Sequence, residues 1–235
     1  MTGGTCRASV AVIMPSRNIV KQYVEGGYYH VYNRGVEKRD IFLDAQDYYV
    51  FLKYLRSYLI DEPIFGGGTR PRPNLRNQVQ LLAYCLMPNH YHLLVHQNVV
   101  DGTTQLLRRA MTGYSMYFNQ RHNRVGPLFQ AYFKAASVEI DEYLMHVSRY
   151  IHLNPQGIGQ DPETYRFSSL QYYEAKQPDW VDTAPVLSLF ASREDYIQFM
   201  RDMRVDSEAL LGETTIDGFF AGATCRQVAP AVGLG

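Results

Sequence analysis

His90 and His92 stand two residues apart in LMPNHYHLLV. In an extended strand, residues i and i+2 leave the same face with Cα atoms about 6.6 Å apart, so both imidazoles can grip one metal ion. The same spacing also suits two polar residues on a solvated strand face. His96 shares their parity but lies about 13 Å beyond His92, too far for the same coordination sphere, and reads as structural. In RYIHLNP, Tyr150 and Asn154 are four apart and share one helix face, with His146 a turn earlier. A phenol there is a candidate nucleophile, and equally a core residue in a chain with 19 tyrosines. Asn154, directly before Pro155, reads from its position alone as a helix cap. His152 points roughly opposite Tyr150 and serves structure or substrate contact.

These side chains need a scaffold, and the surrounding pattern supplies one. YYHVYNR, Tyr28 to Arg34, is aromatic and β-branched with near alternation, which predicts a strand. Asp44 caps a helix in which Tyr48, Phe51, Leu52, Leu55 and Leu59 recur at helical spacing. VQLLAYCLM is apolar enough for a strand buried on both faces, and Pro88-Asn89 turns it into HYHLLVHQ. Thr103 or Thr104 caps a long helix to about Arg121, HNRVGP breaks it, and FKAASVEI makes a fourth strand. Asp141 then caps a helix that Pro155 stops. The order β-α-β-β-α-β-α predicts an α+β fold, a ferredoxin-like antiparallel sheet packed with helices.

Residues 1–25 lack periodicity and read as an N-terminal arm. Residues 26–176 carry the core, and 177–235 form an acidic C-terminal extension with one amphipathic helix near Arg193 to Met203. Within the core, DEPIFGGGTRPRPNLRN is too rich in glycine and proline for helix or central strand, and reads as a flexible, net-basic loop.

The formal net charge of zero hides an asymmetry. Gly102 to Val138 contains no Asp or Glu but holds Arg108, Arg109, Arg121, Arg124 and Lys134. Interleaved with them, Tyr114, Tyr117, Phe118 and Phe129 could stack bases while the cations meet phosphates, although Leu106, Ala110, Tyr114 and Tyr117 also form a stripe that would face the sheet. Arg34, Lys38 and Arg39 form a second basic cluster. The extension could dock on the basic block and restrain it, or simply pack on the core. No apolar run approaches the roughly 20 residues that span a bilayer. Cys6, Cys85 and Cys225 are isolated and odd in number, which supports neither a disulfide framework nor a cysteine zinc site. These features predict a soluble, cytoplasmic protein.

Five segments in order, YYHVYNRG, LMPNHYHLLV, GPLFQAYFKA, RYIHLNP and YRFSSLQYY, together resemble the single-tyrosine HUH transposases, and more closely the REP-associated tyrosine transposases. The resemblance covers about Gly26 to Tyr173. It implies that His90 and His92 are metal ligands, that Asn154 completes the metal site and that Tyr150 is the nucleophile. It further implies an Mg²⁺- or Mn²⁺-dependent enzyme that cleaves and rejoins single-stranded DNA near a REP-like hairpin through a 5′-phosphotyrosine. Tyr91 stands where such proteins usually carry an aliphatic residue. A monomer is the working expectation. Two other readings stay open: a hairpin-binding protein or repressor that cleaves little, and a metal-dependent hydrolase that acts through water and leaves Tyr150 incidental.

Overall fold

The computed structural model describes residues 23–61, 73–139, 141–175 and 180–202. The predicted N-terminal arm before residue 23, most of the Gly- and Pro-rich loop, and the extension beyond residue 202 lie outside the described residues.

Four strands, β1 (Tyr28–Arg34), β2 (Val79–Met87), β3 (His90–Gln97) and β4 (Lys134–Val138), form one sheet in the order β2-β3-β1-β4. Every neighbouring pair is antiparallel. The helix α1 (Ala45–Leu59) links β1 to β2 while β3 lies between them, and α2 (Gly102–Arg121) links β3 to β4. This is the ferredoxin-like arrangement that the order of elements predicts.

Alternation divides the sheet into two faces. Tyr29, Val31, Tyr84, Leu86, Tyr91, Leu93 and Val95 point to one side and pack with Phe51 and Leu55 of α1 and Leu106, Ala110 and Tyr114 of α2. Cys85, Met87, Leu94 and Val138 point to the other, against Leu144, Val147 and Ile151 of α3 (Asp141–Leu153). A bulge between Leu81 and Ala83 turns Leu82 toward the α3 side. Tyr91 is fully buried between Phe51 and Phe129, so an aromatic fits where an aliphatic residue was the expectation.

Asp44 caps α1 as predicted, accepting from the Gln46 and Asp47 amides. The start of α2 differs from expectation. Asp101 occupies the cap with φ 69° and no side-chain cap bond, and neither Thr103 nor Thr104 serves. The cause is a close approach: a Cβ on Gly102 would lie 2.4 Å from the Gln78 carbonyl oxygen, so the chain enters the helix through glycine. Asp141 lies inside the first turn of α3. At the other end Pro155 has no N–H to continue the ladder, and the chain tightens into a 3-10 turn, Asn154–Ile158.

Beyond this core, α4 (Leu170–Glu174), α5 (Ala184–Leu187) and α6 (Arg193–Arg201) wrap the β2 edge. Trp180 stacks on Tyr84, and the Asp182 amide donates to the Leu81 carbonyl. Tyr196 and Met200 of α6 are buried with the α3 face. The described part of the extension therefore meets both faces: Trp180 and Val181 join the α1–α2 side of the core, and α6 packs on the α3 side.

Candidate active site

His90 and His92 leave β3 on the α3 side of the sheet, with ring centroids 5.0 Å apart and planes nearly perpendicular. Their tautomers follow from their neighbours. Asn89 donates from Nδ2 to the Lys38 carbonyl, which leaves its Oδ1 to accept from His90 Nδ1 at 2.6 Å. His90 thus presents a bare Nε2. His92 is 1% exposed, shares a 2.9 Å hydrogen bond between its Nδ1 and His30 Nε2, and has a buried Nε2 with no hydrogen-bond partner. An orphaned buried nitrogen is costly unless something occupies it. Burial pushes His90 down to about 4 and His92 well below the usual imidazole range. Both are neutral near pH 7 and have lone pairs available for a cation.

The nucleophile candidate stands directly above. The Tyr150 ring lies 5.4 Å from that of His92 and 5.7 Å from that of His30, edge-on to both. Asn154, one turn on, donates from Nδ2 to the Tyr150 carbonyl at 2.8 Å, and its amide also interacts with His90 and with the Tyr150 hydroxyl. Burial raises the Tyr150 phenol above its ordinary range, so it stays protonated until positive charge is brought close. His90, His92, Tyr150 and Asn154 therefore form one cluster. Among the described residues no three His, Cys, Asp or Glu side chains gather into a metal site. A cation here would take two imidazoles, an amide oxygen and oxygens from substrate or water, a donor set that fits Mn²⁺ and accommodates Mg²⁺.

Cations flank the cluster unevenly. Arg34, the cross-strand partner of His90, is buried, and its charge helps to lower the His90 pKa. Lys134 on β4 extends toward Tyr32, its Nζ 5.8 Å from the ring, and Tyr32 lies 5.9 Å from His92. Lys38 and Arg39 follow β1 in the turn that Asn89 ties to His90; Arg39 pairs with Glu37.

Other predicted contacts are placed differently. Arg108 and Arg109 belong to α2, on the far face of the sheet. Arg121 bonds Asp44 and the buried Asp47, each at 2.6 Å, and clamps the end of α2 to the start of α1. Arg124 bonds Asn119 and lies over Phe118. Two of the four interleaved aromatics are core: Tyr114 and Phe118 are buried, and the Tyr114 hydroxyl donates to the Ile41 carbonyl, whereas Tyr117 and Phe129 are partly buried. The helical spacing of Tyr114 and Phe118 was that of a core stripe.

His146 shares the Tyr150 face by spacing, but it bonds Arg149 and packs against Phe199 of α6. His152 is fully buried, its Nδ1 2.7 Å from the Tyr196 hydroxyl and its Nε2 2.8 Å from Ser169 Oγ. It joins α3 to α4 and α6. His96 is held by Gln80 and the Gly26 carbonyl. Sequence reasoning missed His30 and Asn89. The signal for His30 was parity, because it shares a face with Tyr28, Tyr32 and Arg34, but only the β1–β3 register sets it beside His92.

The family model described as IS200-like transposase matches residues 74–154, a stretch that starts just before β2 and ends on Asn154. It contains both histidines, Tyr150 and the asparagine. Residues 74–154 carry the IS200-like transposase family pattern. The fold agrees with this. A solved REP-associated tyrosine transposase bound to a REP hairpin superposes with a TM-score of 0.51 at 16% identity, covering 69% of this chain and 90% of that one. No curated protein matches the chain. Among the described residues no helix is long and apolar enough to cross a membrane.

Proposed function

We propose that this IS200-like transposase chain cleaves and rejoins single-stranded DNA beside a hairpin, with Tyr150 as the nucleophile. The observation that carries the reading is the convergence of Tyr150 and Asn154 from α3 onto the His90 and His92 rings. The hairpin follows from the REP hairpin held by the structural neighbour.

His90, His92 and Asn154 would hold the ion. When bound, Mg²⁺ or Mn²⁺ supplies positive charge against the scissile phosphate, whose own charge otherwise repels an oxygen nucleophile. Arg34 adds a fixed charge at the same end of the sheet. The Tyr150 oxygen bonds to phosphorus, the bond from phosphorus to the DNA 3′ oxygen breaks, and that oxygen gains a proton as the phenol loses one. The products are a 5′-phosphotyrosine and a DNA 3′-OH. A phenol with pKa about 10 leaves more readily than an alcohol, so a 3′-OH can attack the phosphotyrosine and restore a diester without ATP.

The test is a denaturing gel with a hairpin-bearing strand labelled on either side of the cut. The expected result with Mn²⁺ is a label that migrates with protein from the 3′ fragment only. Cut DNA without attached protein would support a water-using hydrolase instead, and binding without cutting would support a hairpin-binding protein.

A further inference from the structure

We propose that His30 is a positioning residue that fixes His92 in its metal-binding tautomer. The inference rests on the reading above that His90 and His92 hold a divalent ion, and it concerns a residue which that reading does not use.

His30 sits on β1 next to β3, 2% exposed, with its Nε2 2.9 Å from His92 Nδ1 and the two rings stacked at 5.1 Å. One proton must lie between the two nitrogens, because two lone pairs at that separation would repel. If it belongs to His30, then His92 carries its own proton on Nε2, the atom that is buried without a partner. That state blocks the ligating lone pair. If it belongs to His92, then Nδ1–H donates to His30 Nε2 and Nε2 is bare, facing the same cluster as His90. The second state matches the tautomer that Asn89 imposes on His90. Outer hydrogen bonds of this kind fix ring orientation, and their loss typically lowers metal affinity about 10- to 100-fold.

Packing alone and hydrogen-bond positioning predict opposite outcomes for two substitutions. His30→Leu fills much of the space and removes the acceptor. His30→Gln retains an amide oxygen that can accept from His92 Nδ1. The readout is Mn²⁺ affinity, measured as free-ion signal in electron paramagnetic resonance, alongside hairpin binding in chelator to show that each variant is folded. The expected result is Mn²⁺ binding about 10- to 100-fold weaker in the leucine variant, largely recovered with glutamine, and unchanged hairpin binding in both. Equal Mn²⁺ affinity in the leucine variant and the parent, or better binding with leucine than with glutamine, overturns the proposal. A parent protein that binds no Mn²⁺ at all defeats the metal reading itself, a distinguishable result. Should the leucine variant fail to fold, long-range ¹H–¹⁵N NMR on the metal-free parent decides the matter. His92 protonated on Nδ1 supports the assignment, and His92 protonated on Nε2 overturns it.

Discussion

The Asn154 amide is tethered to the residue it serves: its Nδ2 donates to the Tyr150 carbonyl at 2.8 Å, one helical turn back. With nitrogen committed there, the amide oxygen is the end available to accept or to ligate. Asn154→Ala removes one neutral oxygen, which water can replace. Mn²⁺-dependent cleavage should fall by about tenfold or less, as measured by single-turnover rates on a hairpin strand.

The imidazoles are less replaceable. His90→Ala or His92→Ala each deletes half of the pair and should lower both Mn²⁺ affinity and cleavage by more than about 100-fold, with hairpin binding in chelator retained. Titration of Mn²⁺ against each variant checks this. Full cleavage at low Mn²⁺ in either variant would remove the metal assignment.

Charge is divided between chemistry and scaffold. Arg34 is buried beside His90, whereas Arg121 holds Asp44 and the buried Asp47. Arg34→Ala should therefore slow cleavage about ten- to a hundredfold, on the scale of a lost charge-assisted hydrogen bond. Arg121→Ala should instead lower the melting temperature and leave the cleavage rate of the folded protein nearly unchanged. Paired rate and melting measurements separate the two.

His152 belongs with the scaffold. His152→Leu leaves the Tyr196 hydroxyl and Ser169 Oγ short of a partner, and should destabilise by about 1–3 kcal/mol without changing the rate per folded molecule. Acid provides a second check. Burial lowers His152 to about 3, so below the unfolded value of about 6.5 the unfolded chain takes up a proton that the folded one refuses. Its contribution is present above that pH and declines as pH falls toward 3. Between pH 7 and pH 5 this group alone should remove about 1–2 kcal/mol of stability. Urea midpoints in chelator should fall over that interval, and less steeply for His152→Gln.

The strands that carry the site were legible because their patterns are local. Alternation in YYHVYNR and the Pro88-Asn89 turn set β1, β2 and β3 where the structure has them, and Pro155 marks the end of α3. Two-residue spacing likewise placed His90 and His92 on one face. Relationships across strands were not legible. His30 lies 62 positions from His92 in sequence and is joined to it only through the β1–β3 register. Charge misled for a related reason. Arg121 reads as a DNA contact when only its acid-free neighbours in sequence are seen, yet the acids that hold it, Asp44 and Asp47, come from α1. Buried histidines also look alike in sequence: His92 keeps an Nε2 with no hydrogen-bond partner, while both nitrogens of His152 are engaged.

The central claim is that the Tyr150 oxygen forms the covalent bond to DNA, and locating that bond tests it most directly. After reaction with a short hairpin strand and Mn²⁺, nuclease trimming and trypsin digestion, the adduct mass should appear on the peptide that begins at Tyr150 and ends at Arg166. Fragmentation should put it on Tyr150 and not on Tyr165, and Tyr150→Phe should abolish it while hairpin binding persists. The same mass on the peptide that carries Tyr143 or Tyr132, or an adduct that survives in Tyr150→Phe, would contradict the account.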